Sequence, residues 1–222
     1  MNAAAKLWYG NQAFLLPFCT AIASGFVLLC IFPKADVHLA IDAHHSAGGD
    51  VFFRFVTNLG DGWTAAVLAG ILLFVRYRHV ILMAAANIAS GLTVQLLKHG
   101  PFAGSPRPLE YFRQTHALHV VQGVLIYSYN SFPSGHAATA CTCCCCLALM
   151  TGRRGAQFTL SIAGLVIAFS RVYLSEHFLF DMCAGALCGV LLSLGLAAAL
   201  GYPDTHKEGT WMELSLLRRS DI

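Results

Sequence analysis

Residues 131–150 read Ser131-Phe132-Pro133-Ser134-Gly135-His136 and then Ala137-Ala138-Thr139-Ala140-Cys141-Thr142-Cys143-Cys144-Cys145-Cys146-Leu147-Ala148-Leu149-Met150. A turn-forming polar start runs straight into small and apolar residues that carry no formal charge. Ser134 is placed to cap a helix, and Gly135 lets a ligand approach the backbone. The first amides of such a helix are unpaired and carry the positive end of its dipole, which makes a ready phosphate site. The cysteines of this run, like Cys19, Cys30, Cys183 and Cys188, lie in apolar stretches. They lack the paired spacing of a zinc site and the aqueous oxidising setting of a disulfide, and read as small, polarizable packing residues.

Working outward, the whole chain continues this pattern. Of 222 residues, 57% are hydrophobic and 11% charged, whereas a soluble domain carries about 25% charged residues. The mean hydropathy is +0.63. These values imply an all-α integral membrane protein, a bundle of about six spanning helices in one domain over residues 1–222. The expected spans are Gln12 to Phe32, Trp63 to Val75 extended back over Thr57 to Gly62, Val80 to Leu97, His136 to Met150, a short one from Phe158 to Phe169, and Met182 to Leu200. An Ala21-Ile22-Ala23 triplet imitates a signal-cleavage site, but the apolar run continues to Phe32, so an uncleaved helix is expected. The net charge of +3 is not gathered into a basic face, which excludes nucleic acid as a partner and leaves the lipid bilayer.

Charge sets the expected orientation. Arg76, Arg78, Arg153 and Arg154 in two short turns fall on one side with Lys6, Lys207, Arg218 and Arg219. Lys34, Arg54, Lys98, Arg107, Arg113 and Arg171 are spread over longer loops on the other. The Arg-dense turns should therefore face the cytoplasm, with both termini. The loops from Lys98 to Gly135 and from Ser170 to Asp181 then share the outer, periplasmic face. The segment Asp42 to Asp61, with Phe52, Phe53 and Phe55 beside Arg54, suits an interfacial helix that guides a lipid inward. Trp211, Leu214, Leu216 and Leu217 of the tail suit the inner interface.

The outer loops carry the chemistry. Lys98 and Arg107 flank a Pro/Gly-rich loop and suit an anion. Ser134, Gly135 and His136 begin a helix. In Ser170-Arg171-Val172-Tyr173-Leu174-Ser175-Glu176-His177-Phe178-Leu179-Phe180-Asp181, a helical end would set His177 and Asp181 on one face, the carboxylate holding one imidazole nitrogen and leaving the other free to attack. Glu176 projects differently and reads as solvated or substrate-facing. Two histidines, three cations, free amides and one acid suffice for phosphoryl transfer without a metal, because that chemistry is mostly positioning and charge neutralisation.

The three clusters resemble, in order, the three-part signature of the type 2 phosphatidic acid phosphatase (PAP2) superfamily. Pro133-Ser134-Gly135-His136 and Ser170-Arg171…His177…Asp181 match without change, whereas Lys98 and Arg107-Pro108 are separated by two residues more than usual. Either that loop bulges or Lys98 is not the phosphate lysine. The longer loop is similar to bacterial members, including lipid A phosphatase-like ones. The resemblance implies His177 as nucleophile, Asp181 as its orienting partner and His136 as general acid. It implies Lys98, Arg107, Arg171, Ser134 and the Gly135 amide as phosphate ligands, and no metal or cofactor. The implied substrate is a phosphorylated membrane lipid at the periplasmic face of a bacterial inner membrane, with lipid A or undecaprenyl diphosphate favoured over phosphatidylglycerol phosphate or phosphatidic acid. The alternatives are a lipid phosphotransferase using the same histidine, and a membrane protein that only binds or carries phospholipid.

Other polar features have plainer readings. His44-His45 and His116-x-x-His119 lack Cys or carboxylate ligands at standard spacing and read as loop polarity rather than a metal site. Gly185-x-x-x-Gly189 is a small-residue pattern that permits close helix packing, within the subunit or in a homo-oligomer.

Overall fold

A computed structural model describes residues 3–202 and 211–217 of the chain. Lys207, Arg218 and Arg219, counted above toward orientation, lie outside the described residues, as does the side chain of Trp211. The helices are α1 (Ala3–Gly10), α2 (Gln12–Ile31), α3 (Lys34–Asp42), α4 (Ala47–Val56), α5 (Gly62–Leu72), α6 (Tyr77–His99), α7 (Pro108–Tyr111), α8 (Gly135–Met150), α9 (Arg154–Tyr173) and α10 (Leu179–Ala199). Among the described residues the nearest thing to a strand is an isolated bridge between Pro106 and Tyr129.

Four helices, α2, α6, α9 and α10, are long and apolar enough to cross a membrane. A fifth crossing forms if α4, its 3-10 extension Thr57–Gly60 and α5 count as one bent pair, broken by 56°. The break falls inside the expected second span for a local reason. Asp61 has an extended backbone, and its carboxylate accepts the Gly62 amide at 2.6 Å, so it starts a new helix instead of continuing the old one. The expected short fifth span lengthens into the 20 residues of α9. Polar groups at its ends bond within the protein: Gln157 donates to the Gly10 carbonyl at 3.0 Å, and Ser170 to that of Ile167 at 2.5 Å.

α8 sits at the centre, against α6, α9 and α10. It is buried on nearly all sides, which suits a helix of Ala and Cys with no polar face. All cysteines among the described residues are free. The small residues let neighbours approach closely. A Cβ at Gly185 would collide with the Ser134 carbonyl, one at Gly189 with that of Ala138, and one at Gly164 would lie 3.2 Å from Cys144 Cβ. The Gly185/Gly189 pattern is thus used within the chain, to seat α10 on α8. With 16 residues, α8 is only about 24 Å long against a hydrocarbon core of about 30 Å.

The two ends of the bundle differ. At one end Arg78 donates to the Leu200 carbonyl at 2.8 Å and lies over the Tyr202 ring, while Glu213 pairs with Arg76 at 3.2 Å and Arg78 at 3.5 Å. Tyr77 N donates to Leu214 O and Leu216 N to Leu73 O, docking the tail onto the α5–α6 turn. At the other end lie the last turns of α6 and α9 and the first turns of α8 and α10, which bring the candidate residues together.

Candidate active site

Lys98, in the last turn of α6, is buried and interacts electrostatically with Arg107, Asp181, Arg171 and Glu176. The long loop to Arg107 turns back on itself, Phe102 N donating to Leu97 O and Ala103 N to Gly100 O. It is then locked to residues 128–132: Arg107 N donates to Ser128 O at 2.9 Å, Ser131 N to Ser105 O at 3.1 Å, and Phe132 N to Ser105 Oγ at 3.2 Å. The Gly104 amide donates to Asn130 Oδ1 at 3.0 Å. The extra length is thereby absorbed as a bulge, and Lys98 and Arg107 reach the same cluster.

At the start of α8, Ser134 Oγ accepts the Ala137 amide at 3.4 Å, and Ser134 N donates to the Asp181 carbonyl at 2.9 Å, joining α8 to α10. A Cβ at Gly135 would make only an ordinary contact with Val94 at 3.7 Å, so the protein does not crowd this position. His136 is half-buried.

The connection from α9 to α10 is a loop as expected, but its end is not helical over His177. α9 carries Arg171 in its last turn and ends at Tyr173; Ser175 has φ of +56°, and α10 begins at Leu179, beyond His177. A left-handed backbone at a serine costs on the order of 1 kcal/mol. The surroundings hold it: the Ser175 hydroxyl lies 3.2 Å from His38 Nε2, and His38 packs against Phe112 and Phe178. The turn sends the Glu176 and His177 amides back to the Arg171 carbonyl at 3.0 and 3.1 Å.

Asp181 therefore meets His177 across a helix start. One carboxylate oxygen accepts the Phe178 amide at 3.0 Å and the Ser131 hydroxyl at 2.5 Å, and lies 3.7 Å from His177 Nδ1. Ser131 Oγ is itself 3.4 Å from that nitrogen, so it relays the carboxylate to the imidazole. Ser131 stands just before the Pro133–His136 motif, but nothing in the motif spacing assigns it a role. His177 is buried, and burial takes its pKa down to about 3 against the opposing pull of Asp181; burial also takes His38 down to about 4. Both imidazoles are neutral at pH 7. Among the described residues Nε2 of His177 makes no hydrogen bond and is the nitrogen left for chemistry.

Arg171 Nη1 donates to Thr57 Oγ1 at 2.9 Å, a wall residue that motif reading did not find. Arg107 Nε donates to Tyr129 O at 3.1 Å. Both guanidiniums also pair with Glu176, Arg171 at 3.1 Å and Arg107 in a closer contact. Of the two readings of Glu176, solvated or substrate-facing, the solvated one is corrected: its side chain is fully buried, because the Ser175 turn points it back between the arginines. His136 and Arg171 line a cleft of about 480 Å³ with Arg54, Thr57, Asp61 and Tyr127.

The outer histidine pairs do meet carboxylates. His119 Nε2 is 2.8 Å from Asp50, and His45 pairs with Asp42 and with the Tyr173 carbonyl. Among the described residues no three His, Cys, Asp or Glu are arranged to hold a metal ion.

Two histidines and three cations at one end of a membrane-helix bundle define a phosphate-handling membrane protein, and comparison with known proteins narrows the class. The chain belongs to the PAP2 superfamily of phosphatases, whose family profile matches residues 79–203 and so takes in every site residue from Lys98 to Asp181. The fold is similar to that of Aquifex aeolicus LpxE, with a TM-score of 0.64 and 25% identity over 72% of this chain and 91% of that one. It is also similar to the first transmembrane PAP2 type phosphatidylglycerolphosphate phosphatase from Bacillus subtilis, with a TM-score of 0.63 and 19% identity over 90% and 99%. A comparison with curated proteins gives no match.

Proposed function

We propose that the chain is a metal-independent lipid-phosphate phosphatase working through a phosphohistidine. The observation that carries this reading is the gathering of His177, His136, Lys98, Arg107 and Arg171 at one end of the bundle, with His177 buried and neutral. His177 Nε2 attacks phosphorus, and the bond from phosphorus to the leaving oxygen breaks. His136, as imidazolium, gives that oxygen its proton. Water then attacks the phosphohistidine, His136 takes a proton from it, and the phosphorus–nitrogen bond breaks to release inorganic phosphate. Asp181, with Ser131, holds Nδ1 so that Nε2 stays free, and stabilises the charge that develops on the ring. The three cations, the Ser134 hydroxyl and the Gly135 amide neutralise the equatorial oxygens.

The substrate is an amphiphile, lipid A or undecaprenyl diphosphate before phosphatidylglycerol phosphate or phosphatidic acid. An apolar cavity of about 680 Å³, lined by Phe32, Val37, Ile41, Phe53 and Phe169, adjoins α4, the helix whose Arg54 borders the polar cleft. A headgroup at the cleft and a chain along α4 are mutually compatible. The short α8 completes six crossings, with the site on the periplasmic side of a bacterial inner membrane and both termini cytoplasmic; Arg76, Arg78, Arg153 and Arg154 at the far end support that orientation. The test is inorganic phosphate release from these four lipids by detergent-purified protein with EDTA present. Release that survives EDTA and disappears in His177→Ala supports the route and names the lipid. Release that stops with EDTA, or persists in the variant, overturns it, and phosphate appearing only on an added lipid acceptor points to a phosphotransferase.

A further inference from the structure

Glu176 is left over by this mechanism, and its position is not neutral. Its carboxylate is fully buried, lies between the guanidiniums of Arg107 and Arg171, and keeps Oε1 without a hydrogen-bond partner among the described residues. It uses hydrogen-bonding capacity of both arginines that a bound anion would also draw on. We propose that Glu176 is the exchangeable counter-ion of this site: ionised and clamped by the arginines when the site is empty, it takes up one proton from solvent as a tetrahedral dianion binds. Its Oε1 hydroxyl then donates to an oxygen of that anion. This rests on the reading of the cluster as a phosphate site.

Charge supplies the reason. Lys98, Arg107 and Arg171 bring three positive charges, and Glu176 with Asp181 two negative ones. With His136 neutral, a dianion entering with Glu176 ionised leaves the buried cluster one charge negative and a neutral Glu176 leaves it balanced; a proton on His136 instead would balance it equally, and Glu176→Gln tells the two apart. An unpaired charge in a buried site is the costlier alternative. Burial already pushes the Glu176 carboxyl above its ordinary value, against the pull of Arg171 and Arg107, and an arriving anion pushes it further. The other groups able to take the proton are Lys98 on α6, His136 on α8, Asp61 beside the cleft, and His177 and Asp181 around α10. The test must separate Glu176 from them.

Sulfate is the probe, because it stays a dianion through neutral pH while phosphate titrates. Sodium sulfate is added to the full-length protein in weakly buffered detergent solution, with sodium chloride as control, and proton uptake is followed by an indicator dye. Affinity is read from thermal protection at each pH. In the wild type, uptake approaching one proton per sulfate is expected, with a dissociation constant that rises up to about tenfold per pH unit. Glu176→Gln should abolish the uptake, flatten the pH dependence, and bind sulfate about tenfold more tightly than wild type in the alkaline range. Sulfate binding without uptake, uptake that persists in Glu176→Gln, or weaker binding by that variant at every pH overturns the proposal; the last would make Glu176 a positioning residue for the arginines. If the variant does not fold, a protonated-carboxyl infrared band that sulfate induces in the wild type, in Asp61→Asn and in Asp181→Asn takes its place, and its absence overturns the proposal. Phosphate release from lipid in the wild type, without proton uptake on sulfate binding, defeats this inference alone, whereas absence of both lipid turnover and sulfate binding defeats the phosphate-site reading with it.

Discussion

Each end of the bundle sets two arginines on one glutamate with a histidine nearby, yet the two ends differ. At the tail end Arg76 and Arg78 share Glu213, and His79 Nδ1 lies 2.6 Å from the Tyr202 hydroxyl. There Arg78 also holds the Leu200 carbonyl and the Tyr202 ring, so the charges fasten α6, α10 and the tail together. At the other end Arg107 and Arg171 share Glu176, but Lys98 joins them, His177 keeps Nε2 free, and two helix starts point in. The same residue types make a clasp whose arginines hold a carbonyl, a ring and the tail of the chain itself, and a site where a third cation and a free imidazole nitrogen are left for a ligand.

The comparison breaks most sharply at the histidines. His177→Ala is expected to lower phosphate release by at least about 10⁴-fold, the scale for loss of a covalent nucleophile, with the thermal transition retained. His79→Ala at the clasp should change release by less than about threefold. Equal activity losses in the two variants, measured per folded protein, would erase the distinction. Next come the arginines. Arg171→Ala should cost about 10²–10³-fold in kcat/KM, as removal of a preorganised donor to developing charge does. Arg78→Ala should leave kcat/KM within about threefold but destabilise by about 3 kcal/mol, because Glu213 and Leu200 O lose a buried partner. Denaturation in detergent and steady-state kinetics on the same samples read both effects.

Ser131 sharpens the comparison on a smaller scale. Ser131→Ala removes the hydroxyl between Asp181 and His177 Nδ1 and should lower kcat about tenfold with KM unchanged, the effect of one lost hydrogen bond that acts on the nucleophile rather than on the headgroup. A change confined to KM would mean that Ser131 contacts substrate instead.

Much of this architecture is legible in the residues. Three long apolar runs announce α2, α6 and α10, a shorter one only the middle of α9, and the capped start at Ser134 is readable because N-capping is local chemistry. The break at Asp61 is not readable from hydropathy, since a single capping carboxylate divides an otherwise apolar run. The burial of Glu176 is hidden for a related reason: one positive φ at Ser175, fixed by His38 from 137 residues away in sequence, decides where it points. Thr57 and Ser131 acquire their partners only when α4, α8, α9 and α10 converge, and no spacing within the chain encodes that.

The smallest expected effect lies in acid. His177 and His38 are neutral and buried in the fold, with pKa values near 3 and 4, while an unfolded chain offers imidazoles near 6.5. Below about pH 6.5 the unfolded state therefore binds more protons than the fold, so stability falls as pH drops toward the folded values and is fully present above 6.5. Between pH 7 and pH 6 the two groups together should lower stability by on the order of 1 kcal/mol, with a steeper fall below. The tail end adds an internal control, because Arg78→Ala should shift the whole denaturation profile without changing its acid slope. His38→Gln should flatten the slope in part, since it removes one buried imidazole, although the loss of the Ser175 contact lowers the plateau. Stability that stays level from pH 7 to pH 5 would mean that both rings are protonated in the fold, and a protonated His177 has no lone pair for phosphorus.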